Sequence, residues 1–394
     1  MARTGGKRNS RRRARWRDLG YFWLGILALL GAGAATLQYL GPPGEGTPAR
    51  LARAPAPGDN RPGDNRPGDN RPGDDRPGDD RGAGPVVIAS QRLAPPVVTG
   101  RDTPGPVADP DPALLEPLSE GAKQNLPRIA RDGRTPMQVY AAGFDHSSRR
   151  PRIGLLLAGI GLNEAESDTA IRALPSTVSL AVSPYAANVT RLLATARAMG
   201  HEYLIEVPLE PAGFPLNDPG PKTLLTSLSP AANAQFLQWA MSRIEGYVGA
   251  VGVAGTMRGE RLAAMHDQMD AVLAQFAARG LLYVDPREQQ TPSGLPASGQ
   301  VPIAWGRHVE SVIDEPADQD AVDRGQIDAR LADLEQRARD HGSALGLVMR
   351  PTQVAVARIL AWSNGLEDRG LTLAPVSALV QPPANTPVKL SERE

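Results

Sequence analysis

The stretch that most constrains this chain is RIGLLLAGIGL, residues 152–162. Arg149-Arg150-Pro151 closes a polar run, and Ile153–Leu157 that follows carries no polar side chain. A short apolar run without polar alternation reads as a parallel strand buried on both faces. It ends in Ala158-Gly159-Ile160-Gly161, where the chain turns toward a helix. The carboxyl end of such a strand is where α/β folds place their chemistry.

The pattern repeats downstream. Strand-like runs at Ile153–Leu157, Thr177–Ala181, Tyr203–Val207, Val248–Val253, Leu281–Val284, Gly346–Val348 and Leu371–Pro375 alternate with helical ones. The helical runs are Glu164–Ala173, Asn188–Met199, Pro230–Ile244, Ala263–Ala278, Asp328–His341 and Gln353–Gly365. Leu331, Leu334 and Ala338 form an i, i+3, i+7 stripe flanked by charge. Ser229-Pro230 suits an N-cap followed by proline in the first turn, and Gly200, Gly280 and Gly370 follow helical runs as terminating glycines do. The alternation predicts an α/β fold on a parallel sheet, closed as a barrel or left open.

The net charge of zero conceals an asymmetry. Arg3, Lys7, Arg8, Arg11, Arg12, Arg13, Arg15 and Arg17 precede the first acid, and residues 19–40 carry no charge at all. At about 1.5 Å per residue a helix of that length spans the ~30 Å hydrocarbon core of a bilayer. Trp16, Tyr21, Phe22, Trp23 and Tyr39 sit near its ends, as interface aromatics do. The expectation is a basic cytoplasmic segment (1–18), an uncleaved single-pass anchor in the inner membrane (19–40) and a main domain in the periplasm. The competing reading is a cleaved signal peptide, with Gly31-Ala32-Gly33-Ala34-Ala35 as the cleavage region, although the apolar run exceeds the ~7–15 residues of a signal core. An apolar segment directly behind the cations argues against a nucleic-acid arm. Residues 41–130 are read as a disordered linker. Pro-Gly-Asp-Asn-Arg recurs from Pro57 and continues as Pro-Gly-Asp-Asp-Arg to Arg81, with nothing apolar to bury. The folded domain is assigned to 131–382 and a flexible tail to 383–394. The absence of cysteine is compatible with an oxidising compartment.

The strand at 152–162 resembles the first strand of the divergent polysaccharide deacetylases, whose pattern is close to RIAIVIDDLGL. The likeness continues in unbroken order. It runs through Asp132-Gly133-Arg134-Thr135-Pro136, Ser183-Pro184-Tyr185, Gly200-His201-Glu202, Val207-Pro208-Leu209-Glu210-Pro211, Gly246-Tyr247-Val248-Gly249 and Tyr283-Val284-Asp285 to Pro375-Val376-Ser377-Ala378-Leu379. The resemblance implies a distorted (β/α) barrel of about seven strands. It also implies a carbon–nitrogen hydrolase using a divalent metal such as zinc, held by an aspartate pair and by histidines. In this chain the aspartate pair is Ala158 and Gly159. Val253 stands at the histidine of a VNNHMG-like segment, and Met349 at that of an IGHPYP-like one. A thioether is a poor ligand for a site built for hard donors. No metal or other cofactor is therefore expected.

Acids remain at strand ends, and Asp285, Glu210 and Asp314 match acidic family positions as catalytic candidates. Tyr185, Arg287, Trp305 and His308, with Phe214, are candidates for ligand binding, aromatic platforms being suited to sugars. His201-Glu202 is no zincin motif, since Ile205 stands where the second histidine belongs. There is no P-loop, dinucleotide fingerprint or Gly-x-Ser-x-Gly elbow. The expected function is a metal-free pseudoenzyme of the cell envelope that binds a polysaccharide such as peptidoglycan, or an envelope protein, and no nucleic acid. Two alternatives stay open: an active N-acetyl deacetylase with a rearranged site, and a scaffold for cell-wall enzymes. Protease added to intact spheroplasts is expected to cut within Pro57–Arg81 and release the domain; protection of the repeat would reverse the orientation.

Overall fold

The structure, a computed structural model, describes residues 102–290, 295, 304–315 and 324–381. The basic head, residues 19–40, the five-residue repeat and the 383–394 tail lie outside the described residues. Among those described, no helix is long and apolar enough to cross a membrane.

The strands are β1 (Leu115–Pro117), β2 (Asn125–Pro127), β3 (Arg152–Ile160), β4 (Ser179–Val182), β5 (Tyr203–Glu206), β6 (Gly249–Val251), β7 (Leu282–Glu288), β8 (Gly306–Val309), β9 (Ser311–Val312), β10 (Ser343–Val348) and β11 (Thr372–Leu373). β1 and β2 form a separate antiparallel hairpin. The main sheet runs β8-β7-β6-β5-β4-β3-β10-β9, and its pairings are parallel. β8 and β9 stand at opposite ends of that order with Glu310 alone between them in sequence. The chain itself thus carries the sheet round into a nearly closed barrel of eight strands.

That count corrects the expected seven. Leu371–Pro375 shrinks to a two-residue strand that pairs with Arg152 and Ile153 of β3, short of the point where β4 joins at Leu156. Residues 306–312, GRHVESV, are absent from the expected strands, yet they form β8 and β9 with Arg307 and Glu310 both buried and paired. Glu310 Oε1 accepts from Arg307 Nη2 at 2.9 Å, and its Oε2 accepts from the Leu345 amide of β10 at 2.5 Å. Arg307 Nη1 donates to Ser343 Oγ at 3.0 Å. A buried ion pair with its remaining groups hydrogen-bonded is tolerable where a lone charge is not.

Side chains alternate across each strand, which divides the core in two. Leu155, Leu157, Ile205 and Ala250 pack outward with Phe276, Leu334 and Ile359 of the surrounding helices. Leu156, Ala158, Leu204, Val251, Val284, Leu345 and Leu347 fill the barrel interior. The helices lie close to expectation. Glu164–Ala173 coincides with its reading, while the run from Ala263 divides into Glu260–Ala263 and His266–Ala278. At the end where the strands begin, buried Glu202 accepts from the amides of Ala142 and Ser377 and from the hydroxyls of Ser179 and Ser377, 2.5–3.0 Å. Four donors replace the water this carboxylate loses on burial.

The linker boundary at 130 is also corrected, because residues 102–130 belong to the domain. Val107, Leu114, Leu126 and Ala130 are buried, and the Val107 amide donates to Arg197 O at 2.9 Å. Low apolar content hid this segment, since a few well-placed residues anchor it. Leu114→Ala is expected to cost roughly 2–5 kcal/mol. A denaturation midpoint equal to that of the unaltered protein would show the segment to be dispensable.

Candidate functional site

The strands' carboxyl ends converge on the end of β3, where the pairing with β4 shifts register between Leu157 and Ile160. Such a bulge leaves a backbone group outside the ladder. Here the Gly159 amide donates to Glu206 Oε1 at 2.6 Å. Glu206 closes β5, two strands away, so its side chain reaches across the barrel interior. Its other oxygen, Oε2, is buried without a partner among the described residues. Burial pushes the Glu206 carboxyl up to about 8, against the lowering effect of the Gly159 amide, so the group holds its proton at neutral pH.

Around it the expected ligand positions are apolar. Ala158, Val253 and Met349 are buried members of the interior cluster. Gly159 has φ +76°, and a Cβ there would lie 3.3 Å from Met349 O and 3.4 Å from Pro351 Cδ. An aspartate at 159 would meet both backbone strain and crowding. Among the described residues no group of three or more His, Cys, Asp or Glu side chains is placed to hold a metal ion. Methyl, isopropyl and thioether groups beside one protonated carboxyl do not fit a divalent cation.

The strand-end acids are not brought together. Asp285 accepts Arg287 Nε at 2.9 and 3.1 Å, Arg287 Nη2 at 2.5 Å and the Arg287 amide at 3.0 Å. That carboxylate raises the Arg287 pKa further. Asp285 shares a strand face with Tyr283, whose ring stacks on Phe276 at 5.5 Å, so it points to the outer layer and away from Glu206. His308, its register partner on β8, holds Nδ1 3.6 Å from Asp285 Oδ2, beyond hydrogen-bond reach. Burial lowers the His308 pKa, and its Nδ1 is unpartnered among the described residues. Asp314 caps the end of β10 by accepting the amides of Met349 at 2.6 Å and Arg350 at 3.1 Å; burial raises its pKa. Glu210 accepts the Thr226 amide at 2.5 Å and pairs with Arg261 at 3.0 Å.

Of the ligand-binding candidates, Tyr185 lies in the loop after β4. Its hydroxyl accepts the Lys222 amide at 3.1 Å, and its ring meets Trp239 with centroids 5.2 Å apart. Phe214 lies half-buried in the loop after β5. Trp305 corrects the reading, because it precedes β8 in a parallel barrel and so sits where strands begin, opposite the strand-end face. His201 is buried with its two ring nitrogens against Val178 O and Ile171 O, at 2.8 and 2.9 Å, and ties a helix end to the barrel. Glu206 escaped sequence reading; its one signal is an acid closing the apolar run Tyr203-Leu204-Ile205.

A model of the family described as divergent polysaccharide deacetylase matches residues 155–380. Among solved structures, an uncharacterized protein from Agrobacterium tumefaciens is similar at 30% identity and a TM-score of 0.57, covering 65% of this chain and 100% of that one. The catalytic domain of peptidoglycan N-acetylglucosamine deacetylase from Eubacterium rectale is similar at 12% identity and a TM-score of 0.34, covering 59% of this chain and 92% of that one. No curated protein matches the chain.

A carboxyl whose folded pKa exceeds its unfolded value stabilises the fold below the unfolded pKa, and that stability is lost as pH rises through the folded one. For Glu206 the window runs from 4.5 to about 8 and is worth a few kcal/mol at about 1.4 kcal/mol per unit. Glu206→Gln, which keeps the acceptor for Gly159 and cannot ionise, is expected to flatten the decline of the melting midpoint between pH 5 and 8 and to raise it at pH 9. Parallel pH profiles for the two proteins would rule out a buried neutral acid.

Proposed function

Because the chain belongs to the divergent polysaccharide deacetylase family, we propose that it is an envelope-facing member that has lost metal-dependent deacetylation and binds a cell-envelope glycan, such as peptidoglycan, at its strand-end face. The observation that carries this reading is the apolar filling at Ala158, Val253 and Met349 beside Gly159. Amide hydrolysis by this family's route needs a cation to polarise the carbonyl and generate hydroxide, with a carboxylate as base. Glu206, whose carboxyl reaches into that interior beside Gly159, is held protonated and hidden from solvent. Binding asks for less: Arg287 and Tyr185 are partly exposed, and loops beyond β3 and β5 carry exposed Leu162 and Leu216. The same reading attaches the domain to the inner membrane through residues 19–40, with the N-terminus cytoplasmic. An envelope protein is the other partner that this face would suit.

A second reading has one observation in its favour. Asp285 and His308 make the only approach of a histidine to a carboxylate within 4.0 Å among the described residues, and they stand at strand ends. A rearranged hydrolase would draw its base from that pair. The purified full chain is expected to contain no stoichiometric zinc by elemental analysis and to release no acetate from an N-acetylated glycan. Stoichiometric zinc, with acetate release that Asp285→Asn abolishes, would make Asp285 the base and replace the first reading with the second.

A further inference from the structure

A cavity of about 310 Å³ lies on the outer wall of the barrel, beside the helix that follows β4. Its sides are the helix Thr190–Met199 and the Ser242–Glu245 segment that leads into β6, and its roof is Pro110 with Lys123 and Gln124 of the β1–β2 turn. The roof comes from the segment ahead of residue 155, where the family match begins. The floor is apolar, from Val189, Leu193 and Ile244, and the rim is polar.

The cations here are fixed mainly by neutral groups. Arg243 Nε donates to Pro184 O at 3.1 Å, and the guanidinium lies 5.6 Å from the Trp239 ring centroid. It has no ion-pair partner among the described residues, nor does Lys123. Arg197 donates from Nη1 to Tyr203 Oη at 2.7 Å and pairs through Nε with the exposed Asp109 at 3.1 Å. Glu245 is engaged by the Asn125 side-chain amide at 2.8 Å. Lys123, Arg197 and Arg243 against Asp109 and Glu245 leave one positive charge uncompensated.

We propose that this cavity is a second binding site, for a small sugar acid bearing one carboxylate. The residual charge matches a monoanion, and an arginine held by a carbonyl and an aromatic face keeps its terminal N–H groups free to take a carboxylate in fork geometry. The apolar floor beneath a rim of Gln124, Thr190 and Ser242 suits a pyranose ring, which has an apolar face and a hydroxyl edge. The volume falls at the small end of the ~300–1,000 Å³ range of ligand sites, as a single ring requires. A phosphate monoester carries close to two charges at neutral pH and would overfill the balance.

The test is calorimetric titration of the full chain with glucuronate, glucose and glucose 6-phosphate. Glucuronate is expected to bind one to one, at least about tenfold more tightly than glucose, and to weaken as salt screens the site. Lys123→Gln, at an exposed position that the fold does not need, is expected to weaken glucuronate about threefold to tenfold with an unchanged melting midpoint. Arg243→Gln is expected to weaken it more. Arg287→Gln, on the strand-end face, should leave it unchanged, so loss of glycan binding there and failure of this site are separable. Equal affinity for glucose, tighter binding of glucose 6-phosphate, or unaltered glucuronate binding by Lys123→Gln would each overturn the assignment.

Discussion

The barrel depends on a seam one residue wide. β8 pairs with β7 and β9 with β10, and Glu310 is the residue at which the chain leaves one edge of the sheet for the other. A buried acid at that point must be neutralised and held, and Arg307 does both while also reaching Ser343 Oγ and Leu379 O. Removing either partner alone would strand a charge in a water-free interior, the costly way to break a buried pair. The seam therefore works as a unit, and the parallel strands between its two sides inherit their curvature from it.

The barrel centre is closed by one carboxyl contact and a set of small apolar groups. A bulged strand end presents an amide that the ladder does not use, and Glu206 supplies an acceptor from the far side of β4. Desolvation outweighs the Gly159 amide, and the carboxyl is kept neutral. Small and apolar side chains then close the remaining space, and Gly159 is confined by the backbone after β10. The strand-end acids outside this centre serve the rim: Asp314 caps β10, Glu210 clasps Arg261, and Asp285 locks Arg287.

Most of the α/β layering is legible in the sequence because buried strands such as Ile153–Leu157 and stripes such as Leu331, Leu334 and Ala338 report burial directly. Two elements are not, for one shared reason. Residues 306–312 and the segment from 102 to 130 earn their places through specific pairings, Arg307 with Glu310 and the Val107 amide with Arg197 O, that no periodicity announces. The site is legible as a set of replaced positions, since Ala158, Gly159, Val253 and Met349 stand out against the family pattern. Glu206 is not legible, because it looks like any polar residue ending a strand until its contact with Gly159 is seen. Trp305 erred in the opposite sense: its chemistry suits a sugar platform, but strand direction carries it to the other end.

Both ends of the described domain emerge on one side. Gly105 O approaches Gly200 just before β5, and Gln381 exchanges backbone hydrogen bonds with Gly306 at the start of β8. Each contact lies where parallel strands begin, at the end of the barrel opposite Asp314 and the strand-end loops. A surface that gripped the domain at Gly105 or Gln381 would therefore hold it by the end where its strands begin.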